Sequence, residues 1–223
     1  MPTIDGRAEQ FFIGHYLYDP QGNRRCAWSS WGEDHADAVG VADLDPSRPG
    51  LEAVAIGRSG TRALHLASCS QIWAIPTSVI ENPQNLALAK LDPILSSPTI
   101  VIRQRGNVDN GSVFFVNGRG QVVKRVPTSV ADYGMPMQNA NFSGAAATDD
   151  VVYHFGRVYD RNGQLRLGTG WFWSLKGTKV QEVTAGYYER WAPFPIVMDV
   201  DRDGRDDIVT WSQSLIVVGR SSG

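Results

Sequence analysis

Asp199-Val200-Asp201-Arg202-Asp203-Gly204-Arg205-Asp206-Asp207-Ile208-Val209-Thr210 is an acidic turn that runs without a break into residues suited to a strand. Aspartates at the first, third and fifth positions bring three hard oxygen donors to one side of a tight turn. Gly204 permits the turn, and Asp207 closes the loop at the ninth position. Asp199, Asp201, Asp203 and Asp207 are therefore the expected side-chain ligands of Ca2+, with the Arg205 carbonyl as a backbone donor. Carboxylates this close repel one another unless a cation lies among them. An EF-hand loop would lead into an amphipathic helix with an acidic residue at its twelfth position. Here Ile208, Val209 and Trp211 are β-branched or aromatic, so the loop belongs between two strands.

The loop has echoes along the chain. Aligned on its third position, Asp201 matches Asn141 in Asn139-Ala140-Asn141-Phe142-Ser143, Asp92 in Lys90-Leu91-Asp92, and Asp45 in Asp43-Leu44-Asp45-Pro46-Ser47. Near the start, Asp5-Gly6-Arg7-Ala8-Glu9 matches Asp203-Gly204-Arg205-Asp206-Asp207. The intervals are about 42, 47, 49 and 60 residues, the period of propeller blades. A second landmark recurs in phase: Tyr18-Asp19-Pro20-Gln21-Gly22, Val116-Asn117-Gly118-Arg119-Gly120 and Val158-Tyr159-Asp160-Arg161-Asn162-Gly163 each read as a hairpin turn.

These two periods predict an all-β propeller of four-stranded blades, about four to five in number, with three full blades and a partial unit at each end. The expected units cover residues 1–31, 35–76, 84–127, 136–185 and 191–220. In the best-defined unit the strands fall at residues 38–42, 51–56, 63–67 and 71–75. Residues 165–173 form the expected outer strand of the fourth unit, and residues 174–190 a surface loop. Because the first acidic loop opens at its fifth position, the chain is expected to begin in the middle of a unit of a longer propeller. Edge strands left open at such a break would pair with a second copy or with a missing propeller half.

Composition excludes several classes. Net charge is −2 with the signs interspersed, so no basic stripe exists for nucleic acid or anionic lipid. No apolar run is long enough to span a bilayer, and Met1-Pro2-Thr3-Ile4-Asp5-Gly6 lacks the basic and apolar regions of a signal peptide. Cys26 and Cys69 occupy non-equivalent places in their repeats and are expected as two buried thiols. No nucleophile elbow, phosphate loop or trusted pair of catalytic carboxylates occurs.

Other candidate sites are less complete. The loop from Asp43 offers Asp43, Asp45, Ser47, the Pro49 carbonyl and Glu52, one residue longer before its strand. Lys90 places a cation at the first ligand position of the next loop, where it can pair with Asp92 in place of a metal. Asn139, Asn141 and Ser143 are neutral donors with Asp149 or Asp150 nearby. His35-Ala36-Asp37 precedes an inner strand, where a histidine beside a carboxylate can transfer protons or is simply hydrogen-bonded to an adjoining blade. Among the 7 tryptophans, most are expected as packing between blades, and Trp171 and Trp173 are the candidates for stacking on a sugar ring.

The acidic loop with its following strand resembles the FG-GAP or VCBS repeat of integrin-like propellers. More narrowly, His35-Ala36-Asp37-Ala38-Val39-Gly40-Val41-Ala42-Asp43-Leu44-Asp45-Pro46-Ser47-Arg48-Pro49-Gly50-Leu51-Glu52 resembles a segment of the rhamnogalacturonan lyases. That resemblance implies a secreted, calcium-dependent protein that acts on the pectin backbone by β-elimination, with His35 or Lys90 as the base. It also implies an eight-bladed ring, of which about half is expected in these residues, and an N-terminal β-sandwich, of which none is recognisable in them. The alternative is a noncatalytic module that binds polysaccharide or protein along a propeller rim, as lectins and integrin heads do.

Overall fold

The computed structural model describes residues 10–13, 15–28, 35–92, 94–105, 111–128, 137–141 and 196–211, and the backbone of strands at 150–153, 157–159, 165–167, 171–173, 179–182 and 216–219. Every regular element among them is a strand, and no helix is long and apolar enough to cross a membrane. The chain is an all-β propeller-type fold of antiparallel sheets holding three, four, four, four and five strands. It divides into two compact units, residues 1–88 with 96–131, and residues 89–95 with 132–223.

The first unit holds three sheets. One contains β1 (Phe11–Ile13), β2 (Tyr16–Tyr18) and β3 (Arg24–Ala27). The next contains β4 (Ala36–Ala42), β5 (Glu52–Gly57), β6 (Gly60–His65) and β7 (Ser70–Ile75). The third contains β8 (Pro83–Ala89), β9 (Thr99–Gln104), β10 (Gly111–Val116) and β11 (Val122–Thr128). In each, strands pair in sequence order, as expected for blades built from successive hairpins. The recurring turn is reproduced atom for atom: Asp19 Oδ1 accepts the amides of Gln21 and Asn23, and Asn117 Oδ1 accepts those of Arg119 and Gln121.

Strand β5 shows how the sheets stack. Successive side chains on a strand point to opposite faces. Ala53 and Ala55 therefore enter one core with Leu17, Cys26, Leu64 and Leu66, while Val54 and Ile56 enter a second core with Ile100, Ile102, Phe114 and Val116. All six residues of β5 are buried, because it is sandwiched between neighbouring sheets. The first strands pack so closely that a Cβ on Gly40 would meet Leu88 Cδ1 at 2.8 Å. Only glycine lets those leucines seat there.

Two tryptophans tie each sheet to the next in the same manner. Trp28, just past β3, donates its indole N–H to the Cys69 carbonyl (2.9 Å) in the turn between β6 and β7. Trp73 of β7 donates to the Gly118 carbonyl (2.8 Å) in the turn between β10 and β11. This supports the packing role expected of these two. The cysteines depart from expectation: Cys26 and Cys69 form a disulfide, with their Cα atoms 5.5 Å apart. Non-equivalent repeat positions become neighbours when one lies on a strand of one sheet and the other on a turn of the next.

The second unit holds two sheets. One contains β12 (Gln138–Ala140), β13 (Asp150–Tyr153), β14 (Arg157–Tyr159) and β15 (Leu165–Leu167). The other is built from β16 (Trp171–Trp173), β17 (Lys179–Glu182), β18 (Ile196–Met198), β19 (Asp207–Trp211) and β20 (Ile216–Gly219), in the order β17-β16-β20-β19-β18. The expected single strand over 165–173 is thus two strands in two sheets, with Gly168-Thr169-Gly170 between them, a composition that weakens continuous pairing. The expected surface loop over 174–190 contributes β17, which pairs with β16.

Candidate metal centre

The Asp199 loop is set by its flanking ladder. Strands β18 and β19 pair with Met198 opposite Asp207, so Asp199 leaves the ladder where Asp207 enters it, at the mouth of the loop. Inside it, Asp199 Oδ1 accepts the Asp203 amide (3.1 Å) and Asp199 Oδ2 the Gly204 amide (3.0 Å). Asp207 Oδ2 accepts the Val200 amide (3.0 Å) from the opposite side. The turn uses left-handed backbone at Gly204 (φ 86°), which glycine adopts without a Cβ clash, and at Arg202 (φ 62°). The result is a cluster in which one carboxylate oxygen from each of Asp199, Asp201 and Asp207 lies within 4.8 Å of the other two.

An Asp triad of this kind can hold a metal ion. Its donors are all hard oxygens, the chemistry of Ca2+ or Mg2+ rather than of softer metals. Asp207 is only 4% exposed, so its charge has little water to solvate it. Of the expected ligands, Asp203 is not part of the triad. Its Oδ1 accepts the Arg205 amide at 2.8 Å, which shapes the segment carrying the Arg205 carbonyl.

The Asp43 loop has the same frame and a different filling. Ala42 pairs with Glu52 as Met198 pairs with Asp207, and Glu52 Oε2 accepts the Leu44 amide at 2.8 Å. Glu52 is fully buried, and its Oε1 has no hydrogen-bond partner, an unsatisfied acceptor beside the loop. Asp45 is engaged by its neighbours: Oδ1 accepts both the hydroxyl and the amide of Ser47, and Oδ2 lies 3.7 Å from Arg48 Nε. The Ser47 hydroxyl holds the Asp45 carboxyl below its ordinary range against the opposing effect of desolvation. The Pro49 carbonyl accepts from His65 Nε2 (3.0 Å), whose Nδ1 is 2.7 Å from Ser68 Oγ. Among the described residues, the metal-type grouping of carboxylates occurs at the Asp199 loop and not here.

His35 Nε2 donates to Asp37 Oδ1 at 3.1 Å, and Asp37 Oδ2 accepts from Gln84 Nε2 at 3.0 Å. The histidine side chain is 75% exposed while Asp37 is 15% exposed, so the pair has a fixed base and an open tip. Sequence reasoning did not single out Gln84, because it comes from β8 of the neighbouring sheet. Lys90 is exposed, and Asp92 Oδ1 accepts the Ile94 amide (2.9 Å). Trp171 and Trp173 lie on β16, and their side chains fall outside the described part of the structure. Ser143 and Asp149 also lie outside it. Asn141, expected as a weak ligand of its own loop, instead meets the Asp199 loop: its amide donates to Asp206 Oδ2 at 2.6 Å.

No protein-family model matches the chain, and no curated protein matches it. Among solved structures it is similar to the exotype rhamnogalacturonan lyase YesX, with 17% identity and a TM-score of 0.65 over 99% of this chain and 36% of that one. It is also similar to BBS1N, solved in complex with ARL6DN (15% identity, TM-score 0.54, 93% of this chain and 53% of that one). A third is the PilY1 C-terminal domain of Pseudomonas aeruginosa (13% identity, TM-score 0.51, 91% and 52%). The chain spans between 36% and 53% of the length of these three structures. The likeness carries the fold: this is a propeller-type protein.

Proposed function

We propose that the chain is a calcium-stabilised propeller that acts on or binds pectin-type polysaccharide outside the cell. The convergence of Asp199, Asp201 and Asp207 between two strands carries the calcium part of this reading. The likeness to a rhamnogalacturonan lyase supports the polysaccharide part, and the Cys26–Cys69 disulfide supports an oxidising compartment.

Asp199, Asp201, Asp207 and the Arg205 carbonyl would hold the tighter ion, with Asp203 joining by side chain. Asp43, Asp45, Ser47, the Pro49 carbonyl and the orphaned oxygen of Glu52 would hold a weaker one. Bound calcium neutralises the clustered carboxylates and offers a hard Lewis acid to a uronate carboxylate. For lyase chemistry His35 is the favoured base and Lys90 the second candidate. Asp37 accepts the His35 Nε2 proton and Gln84 steadies Asp37, so Nδ1 would be the basic atom of the ring. A neutral imidazole takes the proton from the carbon bearing the uronate carboxylate. The electrons of that C–H bond form a double bond to the adjacent carbon as its C–O bond to the departing sugar breaks, and the C–O electron pair leaves on oxygen, which takes a proton from solvent. Separately from that chemistry, Trp171 and Trp173 are proposed as a surface of the second unit on which a sugar ring stacks.

The test is ultraviolet absorbance of unsaturated product on rhamnogalacturonan and homogalacturonan, run beside a binding assay on the same polymers. Absorbance growth that His35→Ala abolishes supports the lyase. Binding without product assigns a noncatalytic module, and neither signal removes polysaccharide from the reading.

A further inference from the structure

Two carboxylates of the Asp199 loop stand outside the triad: Asp203, which accepts the Arg205 amide within the loop, and Asp206, which faces out of it. Asp206 sits between the Arg205 carbonyl and the ligand Asp207, and it is turned toward β12 of the neighbouring sheet in the same unit. Its Oδ2 accepts the Asn141 amide at 2.6 Å, and its own amide donates back to the Asn141 carbonyl at 3.0 Å. The Asn141 side-chain amide reaches the Gly204 carbonyl at 3.5 Å. The loop is therefore gripped on both sides of Arg205 by a single residue that follows the last residue of β12. A bond from an amide to an ionised carboxylate is short and strong, and this one is partly shielded from water.

This grip falls on the part of the loop that a cation must order. Binding requires the peptide at Arg205 to turn its carbonyl inward, and that peptide is fixed between Gly204 and Asp206, the two residues Asn141 holds. We propose that Asp206 is a positioning residue that couples cation binding at the Asp199 loop to the docking of β12, so that the ion clasps the two sheets of this unit together. The proposal rests on the calcium reading and adds to it a direction of coupling. By linkage, the factor by which the bound ion favours docking equals the factor by which docking favours the ion. Asp206 ligates nothing itself; it converts local ordering of the loop into a contact between sheets.

The test uses the full chain, with Ca2+ followed by titration calorimetry and amide hydrogen exchange followed by NMR. Addition of Ca2+ is expected to slow exchange of the Asn141 and Asp206 amides at least tenfold. Asp206→Ala is expected to weaken Ca2+ binding about tenfold, since a lost charge-assisted hydrogen bond is worth about that much. Asp206→Asn removes the same charge but keeps an acceptor for the Asn141 amide, so it should fall less than threefold. Equal losses in the two variants would mean that charge alone matters and would overturn the clasp. Ca2+ binding without any change in Asn141 exchange would overturn it too, while leaving the metal reading intact. Absence of Ca2+ binding in the unaltered chain would remove both.

Discussion

The loops at Asp43 and Asp199 share a frame and differ in what fills it. In both, a carboxylate at the start of the second strand accepts the amide of the loop's second residue: Glu52 from Leu44, and Asp207 from Val200. In both, that carboxylate is buried. The Asp199 loop then gathers three carboxylates, whereas in the Asp43 loop Asp45 is engaged by Ser47 and the Pro49 carbonyl by His65, with Glu52 Oε1 left without a partner. A shared frame thus does not dictate a shared filling. The difference lies in whether the carboxylates converge, as at Asp199, Asp201 and Asp207, or turn to their own neighbours, as at Asp45.

The disulfide gives the largest lever on this comparison. Cys69 follows Ser68, which meets His65, which holds the Pro49 carbonyl, so the bridge stands behind the Asp43 loop alone. Cys26→Ser paired with Cys69→Ser opens a loop of sequence separation 43 and is expected to cost about 4 kcal/mol by the chain-entropy relation, read from urea unfolding. Calcium affinity at the Asp199 loop should not move. A shift there would show that the two loops are not independent.

Asp207→Asn keeps an acceptor for Val200 and removes one charge from the triad, so calcium binding at that loop should weaken roughly 100-fold in calorimetry. Glu52→Gln makes the parallel change in the other loop and should remove only the weaker site, by roughly tenfold. If the two variants affect the same isotherm step, the assignment of two sites fails. The smallest effect concerns acid. Asp19 lies below its ordinary carboxyl value, first through the Asn23 side chain, so its contribution is present above that value of 3.8 and is lost as pH falls through the lower folded one. Asn117 fills the same turn without a charge. Asp19→Asn should therefore leave the melting temperature at pH 7 within a degree or two, and flatten its fall below about pH 4.

Most of the fold was legible because strands and hairpin turns are local. The strand at Glu52–Gly57, the paired turns at Asp19 and Asn117, and the loop at Asp199 all report on neighbours in sequence. What escaped reading connects different sheets. The Cys26–Cys69 bridge, the Gln84 support for Asp37 and the Asn141–Asp206 pair all join residues more than forty positions apart. Repetition reveals which positions are alike, not which unlike positions touch. The candidate site was legible in its ligands and not in its anchorage, since Asp206 reads as one more acidic residue until Asn141 stands opposite it.

Strand β16 has a consequence for the order of events as the chain is made. It precedes β18 in sequence yet pairs with β20, with Trp173 opposite Val218, so its seat exists only once residues 216–219 have emerged. The β16–β17 hairpin must wait, synthesised but unseated, while residues 183–215 are made before β20 begins. Assembly of this sheet thus cannot finish before β20 has been made. A folding-stage partner that shields an unpaired hairpin would act on this segment in preference to the sheets that zip up in sequence order.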